Sequence, residues 1–425
     1  MPTNLSRFVK DWEYISFLII NWGAVLAGLA ASQGANAVVF IIIARKTSPI
    51  EYGQYIAVYG LISLTALLPS AGLDTFLLSR GNDNPGYIYM LWKQLLRLRL
   101  KLIVIWALSV GLITVRLLPA STYPPTLVSF VALGLTGDIL AQTSYSMLRA
   151  LNRQIEVASF QIFFSLIIVL TAIVWPSGPG QVLKFSIIRA VISNTFAAAV
   201  FTLAKQRISP QTSAKPVANL ITKIMPFFIS ETAVALYLKA DLAIVSLAKG
   251  ADGASIYGPA LNIVNILFLI PNALYLVTLP LLAEKYVISK EVFLKISKAN
   301  IVLQLVAGLI MTMLLYHLSP FLIRLILGPA YIQSSMILRL LSPLMVLKAL
   351  NFGLAAILTS ANLQTWRTIA QVISALFNVT ANLIVIDSLG IPGIATVYLL
   401  TELFLLGGYA WIVHYHFRAF GETTQ

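Results

Sequence analysis

Long apolar runs alternate with short polar breaks along the whole chain. Each run has about 20 residues or more, the length a helix needs to cross the roughly 30 Å hydrocarbon core of a membrane. Gly and Pro within such runs are normal, because neighbouring membrane helices satisfy the freed backbone groups. The pattern predicts twelve spans: 18–44, 53–78, 98–118, 126–148, 157–175, 182–204, 224–247, 255–282, 299–318, 336–360, 365–386 and 392–413.

Composition agrees with a membrane protein. Of the 425 residues 59% are hydrophobic and only 10% are charged, and the mean hydropathy is +0.87. A soluble domain could not bury so much apolar surface, because a single core stops growing at roughly 250–300 residues. We therefore predict an all-α polytopic membrane protein.

Basic residues set the predicted orientation. The net charge is +14, and Lys and Arg accumulate in the cytoplasmic loops of membrane proteins. With the N-terminus in the cytoplasm, 19 basic residues fall in cytoplasmic segments and 7 on the opposite side. Both termini are thus predicted to be cytoplasmic, and no segment offers a nucleic-acid module. Residues 1–17 lack a cleavage site and predict a short interfacial helix.

The chain divides near its midpoint into two similar halves. The basic segment 205–223 is predicted to be a cytoplasmic linker. It separates two predicted lobes, 18–204 and 224–425, each with six spans. Tyr52-Gly53 opens the second span, and Tyr257-Gly258 opens the eighth, 205 positions later. A second match lies at an offset of 210 and pairs Leu148, Asn152, Gln154 and Gln161 with Leu358, Asn362, Gln364 and Gln371.

Such repeats predict a transporter architecture. Two six-span copies start on the same side of the membrane, so they are parallel repeats about an axis along the membrane normal. Transporters of this kind place substrate in a central cavity between the halves. A channel, receptor or scaffold has no need of that division.

Charges inside the spans are the candidate functional residues, because a charge in hydrocarbon is costly and usually faces a cavity or a partner. One interpretation is structural ion pairs, such as Lys348 with Glu402 or Asp138, with Lys239 and Arg189 reaching toward the interface. The other is that cations line the cavity and hold an anionic headgroup, while acids titrate or bind a coupling cation. The cations are Lys348, Lys239 and Arg189, and the acids are Asp138, Glu231, Asp241 and Glu402.

Two further features refine these candidates. Lys239 and Asp241 are two positions apart, hence roughly 200° around a helix, so we expect different roles for them. The densest basic run lies between the second and third spans and comprises Arg80, Lys93, Arg97, Arg99 and Lys101. It fits a topology signal on anionic headgroups, or a cytoplasmic entry site for a phosphorylated substrate that includes Arg80 and Arg149.

Several functions lack their sequence signals. The chain has no Cys, which excludes disulfides and thiolate sites, and only three His. No phosphate-binding loop appears, since the segment 178–184 lacks both the pattern and the strand context. No metal-ligand cluster and no large outer loop is present. We therefore predict no catalytic residues, no metal and no cofactor, and the missing outer loop counts against a membrane polymerase or ligase.

The layout resembles the polysaccharide transporter family of the multidrug/oligosaccharidyl-lipid/polysaccharide exporter (MOP) superfamily, that is, the Wzx-type O-antigen and exopolysaccharide flippases. The similarity covers essentially the whole chain. Its motifs are short: Ala44-Arg45, Glu51-Tyr52-Gly53, Ala71-Gly72-Leu73, Leu148-Arg149-Ala150, Pro226, Asp241, Tyr257-Gly258 and Pro280.

The resemblance implies a two-lobed bundle in the bacterial cytoplasmic membrane with a cationic cavity. The implied substrate is an undecaprenyl-pyrophosphate-linked glycan, flipped to the periplasmic leaflet by alternating access driven by H⁺ or Na⁺. Membrane lipids, glycosyltransferases and a polysaccharide polymerase are the implied partners. Three alternatives remain: a multidrug/cation antiporter of the same superfamily, a membrane-embedded polymerase or ligase, and a non-transporting scaffold. The antiporter would require an acidic cavity.

Overall fold

The computed structural model describes residues 3–421 except 71, 79–84, 176, 208–216 and 218, with side chains described outside 3–22, 230, 234, 237, 280 and 418–421. This part of the chain is helical, without strands. The helices are α1 (Thr3–Lys46), α2 (Pro49–Thr65), α3 (Leu67–Ser70), α4 (Leu73–Leu78), α5 (Pro85–Leu117), α6 (Pro125–Ala150), α7 (Gln154–Val174), α8 (Gln181–Gln206), α9 (Leu220–Leu267), α10 (Leu269–Ile288), α11 (Lys290–Ile326), α12 (Ser334–Leu341), α13 (Leu344–Ser360) and α14 (Gln364–Gly421).

Ten described segments are long and apolar enough to cross a membrane. Two of them, Leu238–Ile288 and Gln364–Phe417, have 51 and 54 residues, which would extend about 75–80 Å as straight helices. Each turns back at a glycine of positive φ, Gly250 in α9 and Gly390 in α14, and so supplies two crossings. The twelve crossings confirm the predicted polytopic all-α fold.

Each lobe is held together by helices packed along one another. In the N-terminal lobe, α6 packs on α8 and α1 packs on α7. Glycines permit this approach, since a Cβ at Gly137 would lie 2.6 Å from the backbone of Ser193 in α8. In the C-terminal lobe α13 packs against α10, α11 and α14, and the lobes meet mainly where α2 runs along α9. Large apolar side chains such as Leu108 and Ile384, each 70% exposed, form the outer surface, as expected of a lipid-facing surface.

The turns repeat between the lobes at the offset found in the sequence. Asn152 after α6 and Asn362 after α13 both adopt positive φ, 59° and 60°. In both turns the N–H of the following residue donates to a helix carbonyl, Arg153 to Leu148 (2.9 Å) and Leu363 to Leu358 (2.8 Å). Gly180 and Gly390, which open the last span of each lobe, also share positive φ. The local geometry therefore supports a duplicated six-span unit.

The helices differ from the predicted spans in three places. The second span is broken into α2, α3 and α4, and Gly72 lies at the break with φ 76°. A Cβ there would lie 2.4 Å from the Phe228 nitrogen of α9, so this close contact requires glycine. The third begins 13 residues earlier than expected, at Pro85. Helix α1 runs without a break from Thr3, so the interfacial position of 1–17 stays a prediction.

The predicted lobe boundaries also stay predictions. The N-terminal lobe's last helix ends at Gln206 and α9 begins at Leu220, while most of the predicted linker lies outside the described residues. Twelve crossings place the start of α1 at Thr3 and the end of α14 at Gly421 on one side of the bundle. We call that side, predicted to be cytoplasmic, the inner side, and the opposite side the outer side.

Candidate functional site between the lobes

A cavity of about 370 Å³ lies between the lobes, bounded by α1 and α2 on one side and by α9 and α10 on the other. Lys239 of α9 lines this interlobe cavity, and its Nζ donates to the main-chain oxygen of Ser63, 3.3 Å away. An ammonium has three N–H donors, so two are left for a ligand. The other long polar side chains that line the cavity are Gln33, Asn36, Tyr59, Asn262 and Asn265.

The lobes touch on the outer side of the interlobe cavity. Tyr331 donates from Oη to the Ala44 carbonyl (3.0 Å), which ties the loop before α12 to the end of α1. Arg45 donates to main-chain oxygens at the end of α11. Gly53 of α2 lies so close to α9 that a Cβ would come within 2.1 Å of the Ala251 oxygen. This side is therefore closed by side-chain hydrogen bonds to main-chain oxygens and by a close helix contact at Gly53 that leaves no room for a larger side chain.

The inner side is closed by a different contact, centred on Glu231 of α9. Its carboxylate accepts from the Gly72 N–H (2.8 Å) and from the Thr75 hydroxyl, both at the break in the second span. Phe76 of α4 packs against Phe227 of α9 with ring centroids 5.7 Å apart. Glu231, predicted as a coupling or ion-pair acid, thus bonds across the lobes to a backbone N–H and a hydroxyl.

A second cavity of about 200 Å³ lies inside the N-terminal lobe, among α1, α6, α7 and α8. Asp138 of α6 pairs there with Arg189 of α8 (Oδ2 to Nη2, 3.2 Å). Arg189 also contacts the Tyr55 hydroxyl (3.4 Å) and lies over the Tyr59 ring. The remaining polar side chains that line this N-lobe cavity are Ser32, Asn36, Gln142, Tyr145, Gln161, Ser165 and Ser193.

The C-terminal lobe contains a sealed ion pair. Lys348 of α13 pairs with Glu402 of α14, and their side chains are 8% and 0% exposed. The Asn351 amide donates to the second carboxylate oxygen of Glu402 (2.6 Å). The rings of Phe268 and Tyr398 lie about the ammonium at 5.4 and 5.6 Å. A buried charge of this kind requires a partner, and Glu402 supplies it.

Asp241 lies in a chain of amides and hydroxyls that joins α9 to α14. It is 3% exposed and accepts from Asn382 Nδ2 (2.6 Å) and from the Tyr257 hydroxyl (3.2 Å). Asn382 also donates to Asn378 Oδ1 (3.2 Å), and Asn378 in turn donates to the Thr401 hydroxyl (3.3 Å). Carboxylate, amide and hydroxyl oxygens are the ligands that hard cations prefer, and a carboxyl can also hold a proton.

The three predicted cavity cations lie in three different surroundings. Lys239 lines the interlobe cavity, Arg189 lies in the N-lobe cavity paired with Asp138, and Lys348 lies outside both cavities. The placement of Lys348 favours the ion-pair interpretation over substrate binding. As expected from their spacing on α9, Lys239 and Asp241 face different surroundings, the one the cavity and the other the interior of the C-terminal lobe.

The predicted entry residues are only partly described. Arg149 lies in the last turn of α6, and Arg80 lies outside the described residues, so the entry site stays a prediction. Arg99, from the same basic run as Arg80, is fully buried and pairs with Asp74 (2.9 Å). It also donates to the Thr143 hydroxyl. Arg99 thus fixes the inner end of the N-terminal lobe and cannot contact headgroups.

Sequence reasoning from charges missed the uncharged polar residues of the site. Asn36, Asn262 and Asn265 line the interlobe cavity, and Asn378 and Asn382 surround Asp241. A signal for them was present, because an amide inside an apolar span is costly unless it meets a partner or a cavity. No group of three His, Cys, Asp or Glu side chains that could hold a metal ion occurs among the described residues.

The chain shares its fold with solved structures of helical transporters of the MOP superfamily. The chain is similar to the solved structure of an inward-facing multidrug resistance MATE family transporter of that superfamily (TM-score 0.69, 13% identity, 95% of this chain and 100% of that one). It is also similar to the lipid II flippase MurJ in an inward closed conformation (TM-score 0.69, 14% identity, 94% and 87%).

A third similar structure is a MOP superfamily transporter from Pyrococcus furiosus, described as having a binding pocket of reverse polarity (TM-score 0.61, 14% identity, 93% and 94%). No model of a known family and no curated protein matches the sequence. At such identities the similarity shows the fold. The narrower resemblance to polysaccharide flippases stays a prediction.

Proposed function

We propose that this protein is a flippase for a lipid-linked oligosaccharide, moving an undecaprenyl-pyrophosphate-linked glycan across the bacterial cytoplasmic membrane by ion-coupled alternating access. The observation that carries the proposal is the lining of the interlobe cavity. Lys239 is its one charged residue among those described, four amide side chains surround it, and no Asp or Glu is present.

This lining suits an anionic headgroup attached to a sugar. Lys is a point-charge partner for phosphate, and the amides of Gln33, Asn36, Asn262 and Asn265 supply both donors and acceptors for hydroxyl groups. A multidrug/cation antiporter, the alternative, would place a cationic substrate beside Lys239 with no carboxylate to compensate it. The fold itself supports both alternatives equally, so the decision rests on the charge of the cavity.

We further propose that Asp241 holds the coupling ion, Na⁺ or H⁺. Its carboxylate lies beside the amides of Asn378 and Asn382 and the hydroxyl of Thr401. Three of the four residues lie on α14, whose two halves meet at Gly390. A cation bound here would therefore join α9 to both halves of α14 and bias the arrangement of the C-terminal lobe.

Leaflet transfer in proteoliposomes tests the substrate. A fluorescent undecaprenyl-pyrophosphate glycan is the probe, Lys239→Gln the variant, and Lys249→Gln, an exposed lysine of the same helix, the matched control. Each lost charge-assisted hydrogen bond is worth about 1.5–3 kcal/mol, so Lys239→Gln should slow transfer about 10- to 100-fold at limiting substrate. The control should transfer at the wild-type rate.

Other outcomes separate the alternatives. Accumulation of an organic cation such as ethidium, without glycan transfer, would replace the proposal with a multidrug antiporter. Lengthening of the glycan, or its passage to another acceptor, would indicate a polymerase or ligase. Glycan transfer that is unchanged in Lys239→Gln would remove Lys239 from the substrate site.

The coupling site is tested by the same assay under imposed gradients. Asp241→Asn should remove the acceleration that a Na⁺ or pH gradient gives to wild-type transfer and leave only gradient-independent exchange. Asp252→Asn, which changes an exposed acid on the outer side of the same helix, should retain that acceleration. Retention in Asp241→Asn would place coupling elsewhere.

A further inference from the structure

The N-lobe cavity contains polar atoms whose hydrogen-bonding capacity is unused. Asp138 Oδ1, Arg189 Nε and Ser193 Oγ are all buried and all lack a hydrogen-bond partner. Arg189 and Ser193 are only 9% and 1% exposed. A buried polar group without a partner is costly, and three in one cavity point to a polar ligand or ordered water.

The N-lobe cavity adjoins the interlobe cavity. Asn36 of α1 lines both, and Tyr59 of the interlobe cavity lies under the Arg189 guanidinium, 5.5 Å from ring centroid to Cζ. At about 200 Å³, the N-lobe cavity is several times the roughly 30 Å³ that one water occupies in the liquid. It is therefore large enough for a small group that extends from a substrate held between the lobes.

The charges of the N-lobe cavity select against an ion. Asp138 and Arg189 neutralise each other at 3.2 Å, so neither a phosphate nor an organic cation would gain a net counter-charge. The other polar side chains that line the cavity are uncharged, among them the amides of Gln142 and Gln161 and the hydroxyl of Tyr145. Such a mixture matches the hydroxyl groups of a neutral sugar.

The apolar part of the lining fits the same ligand. The rings of Tyr145, Phe164 and Phe196 contribute to the wall. A pyranose has a C–H face as well as hydroxyls, and aromatic rings provide the flat apolar surface on which such a face packs. A site for water alone has no need of three aromatic rings.

We propose that the N-lobe cavity is a binding subsite for one neutral hexose unit of the transported glycan. The inference rests on the proposed flippase function and deepens it. Lys239 binds the pyrophosphate in the interlobe cavity, while the N-lobe cavity receives a sugar close to that pyrophosphate. The first sugars of the glycan would then be recognised by the N-terminal lobe.

Equilibrium binding to the full-length protein in nanodiscs tests the subsite. The probes are bare undecaprenyl pyrophosphate and the same carrier bearing one glucose, one galactose or one N-acetylglucosamine. The variants are Gln142→Leu and Ser193→Ala, with Thr202→Val, a lipid-exposed hydroxyl of the same helix as Ser193, as the control. Both variants should weaken binding of at least one glycosylated carrier about threefold to tenfold and leave the bare carrier unchanged.

The readouts distinguish failure of the subsite from failure of the proposed function. Equal losses for bare and glycosylated carriers, or no loss for any, in both variants would overturn the sugar subsite. Lys239→Gln is expected to weaken all four probes by a similar factor. If it weakens none, the proposed pyrophosphate site fails, yet the difference between bare and glycosylated carriers in Gln142→Leu still decides the subsite. Thermal unfolding of each variant confirms that it is folded.

Discussion

The two lobes each carry one ion pair between the fourth and sixth of their spans, and the pairs have opposite arrangements of charge. In the N-terminal lobe the acid, Asp138, is on the fourth span and the base, Arg189, on the sixth. In the C-terminal lobe the base, Lys348, lies 210 positions after Asp138, and the acid, Glu402, is on the last span. Their surroundings differ too, since the first pair borders a cavity and the second is sealed.

The difference shows that a repeated unit can place its ion pair in two different surroundings. The helix packing and the turns at Asn152 and Asn362 kept the same geometry, while the residues at matching depth changed. The N-lobe pair lines a cavity, and the side chains of Asp138 and Arg189 are 28% and 11% exposed. Both Glu402 oxygens are engaged by Lys348 and Asn351, so the C-lobe pair stabilises its lobe.

The largest expected effect is the loss of one partner from the sealed pair. Glu402→Gln leaves Lys348 uncompensated, and breaking a buried pair costs about 3–5 kcal/mol. Asp138→Asn should cost only about 1–2 kcal/mol, because the N-lobe cavity gives Arg189 access to water. Thermal unfolding of the purified protein compares the two.

A double variant controls this prediction. Lys348→Met combined with Glu402→Gln removes both charges and should recover most of the lost stability. Equal destabilisation by Glu402→Gln and Asp138→Asn would remove the distinction between a structural pair and a ligand-binding pair.

Exchanging the charges within each pair should have an intermediate effect. In the C-terminal lobe, Lys348→Glu with Glu402→Lys would place a carboxylate between the faces of Phe268 and Tyr398, where a cation is favoured. We expect a loss of about 2 kcal/mol, since two cation–π contacts of about 0.5–1 kcal/mol each turn unfavourable. Asp138→Arg with Arg189→Asp should cost less, and greater harm from that exchange would contradict the comparison.

The smallest expected effect is one in which the lobes should agree. Asn152→Ala and Asn362→Ala each place alanine at a positive φ. Alanine lacks the polar side chain that lets Asn adopt this conformation, so each substitution should cost about 1 kcal/mol. The Gly variants at both positions should be nearly neutral. Equal shifts in melting temperature would support the repeat, whereas a shift in only one lobe would show that the two turns are not equivalent.

The architecture could be predicted from sequence because its causes are local and additive. Run length gave the spans, and Gly250 and Gly390 lie in the predicted breaks. The offset of 210 at Asn152 and Asn362 anticipated two turns of the same conformation. The break in the second span could not be anticipated, because Gly72 lies there in close contact with Phe228 of α9, a residue 156 positions away in the sequence.

The site was predicted only as far as the position of a charge within a predicted span determines its function. That position identified Lys239, Lys348 and Asp138 as membrane-embedded charges, and spacing along the helix separated Lys239 from Asp241. Which side of each helix faces a cavity depends on how the lobes pack, so the sealed surroundings of Lys348 required the structure. Amides such as Asn36 and Asn262 were missed because charge alone was counted.

In the proposed function, the interlobe cavity holds an anion through Lys239. The most direct measurement is equilibrium binding of bare undecaprenyl pyrophosphate and of the organic cation ethidium to the wild type and to Lys239→Glu. We predict that the wild type prefers the pyrophosphate and that the charge reversal abolishes its binding while it strengthens that of ethidium. A wild type that binds ethidium in preference, or pyrophosphate binding that survives Lys239→Glu unchanged, would contradict the account.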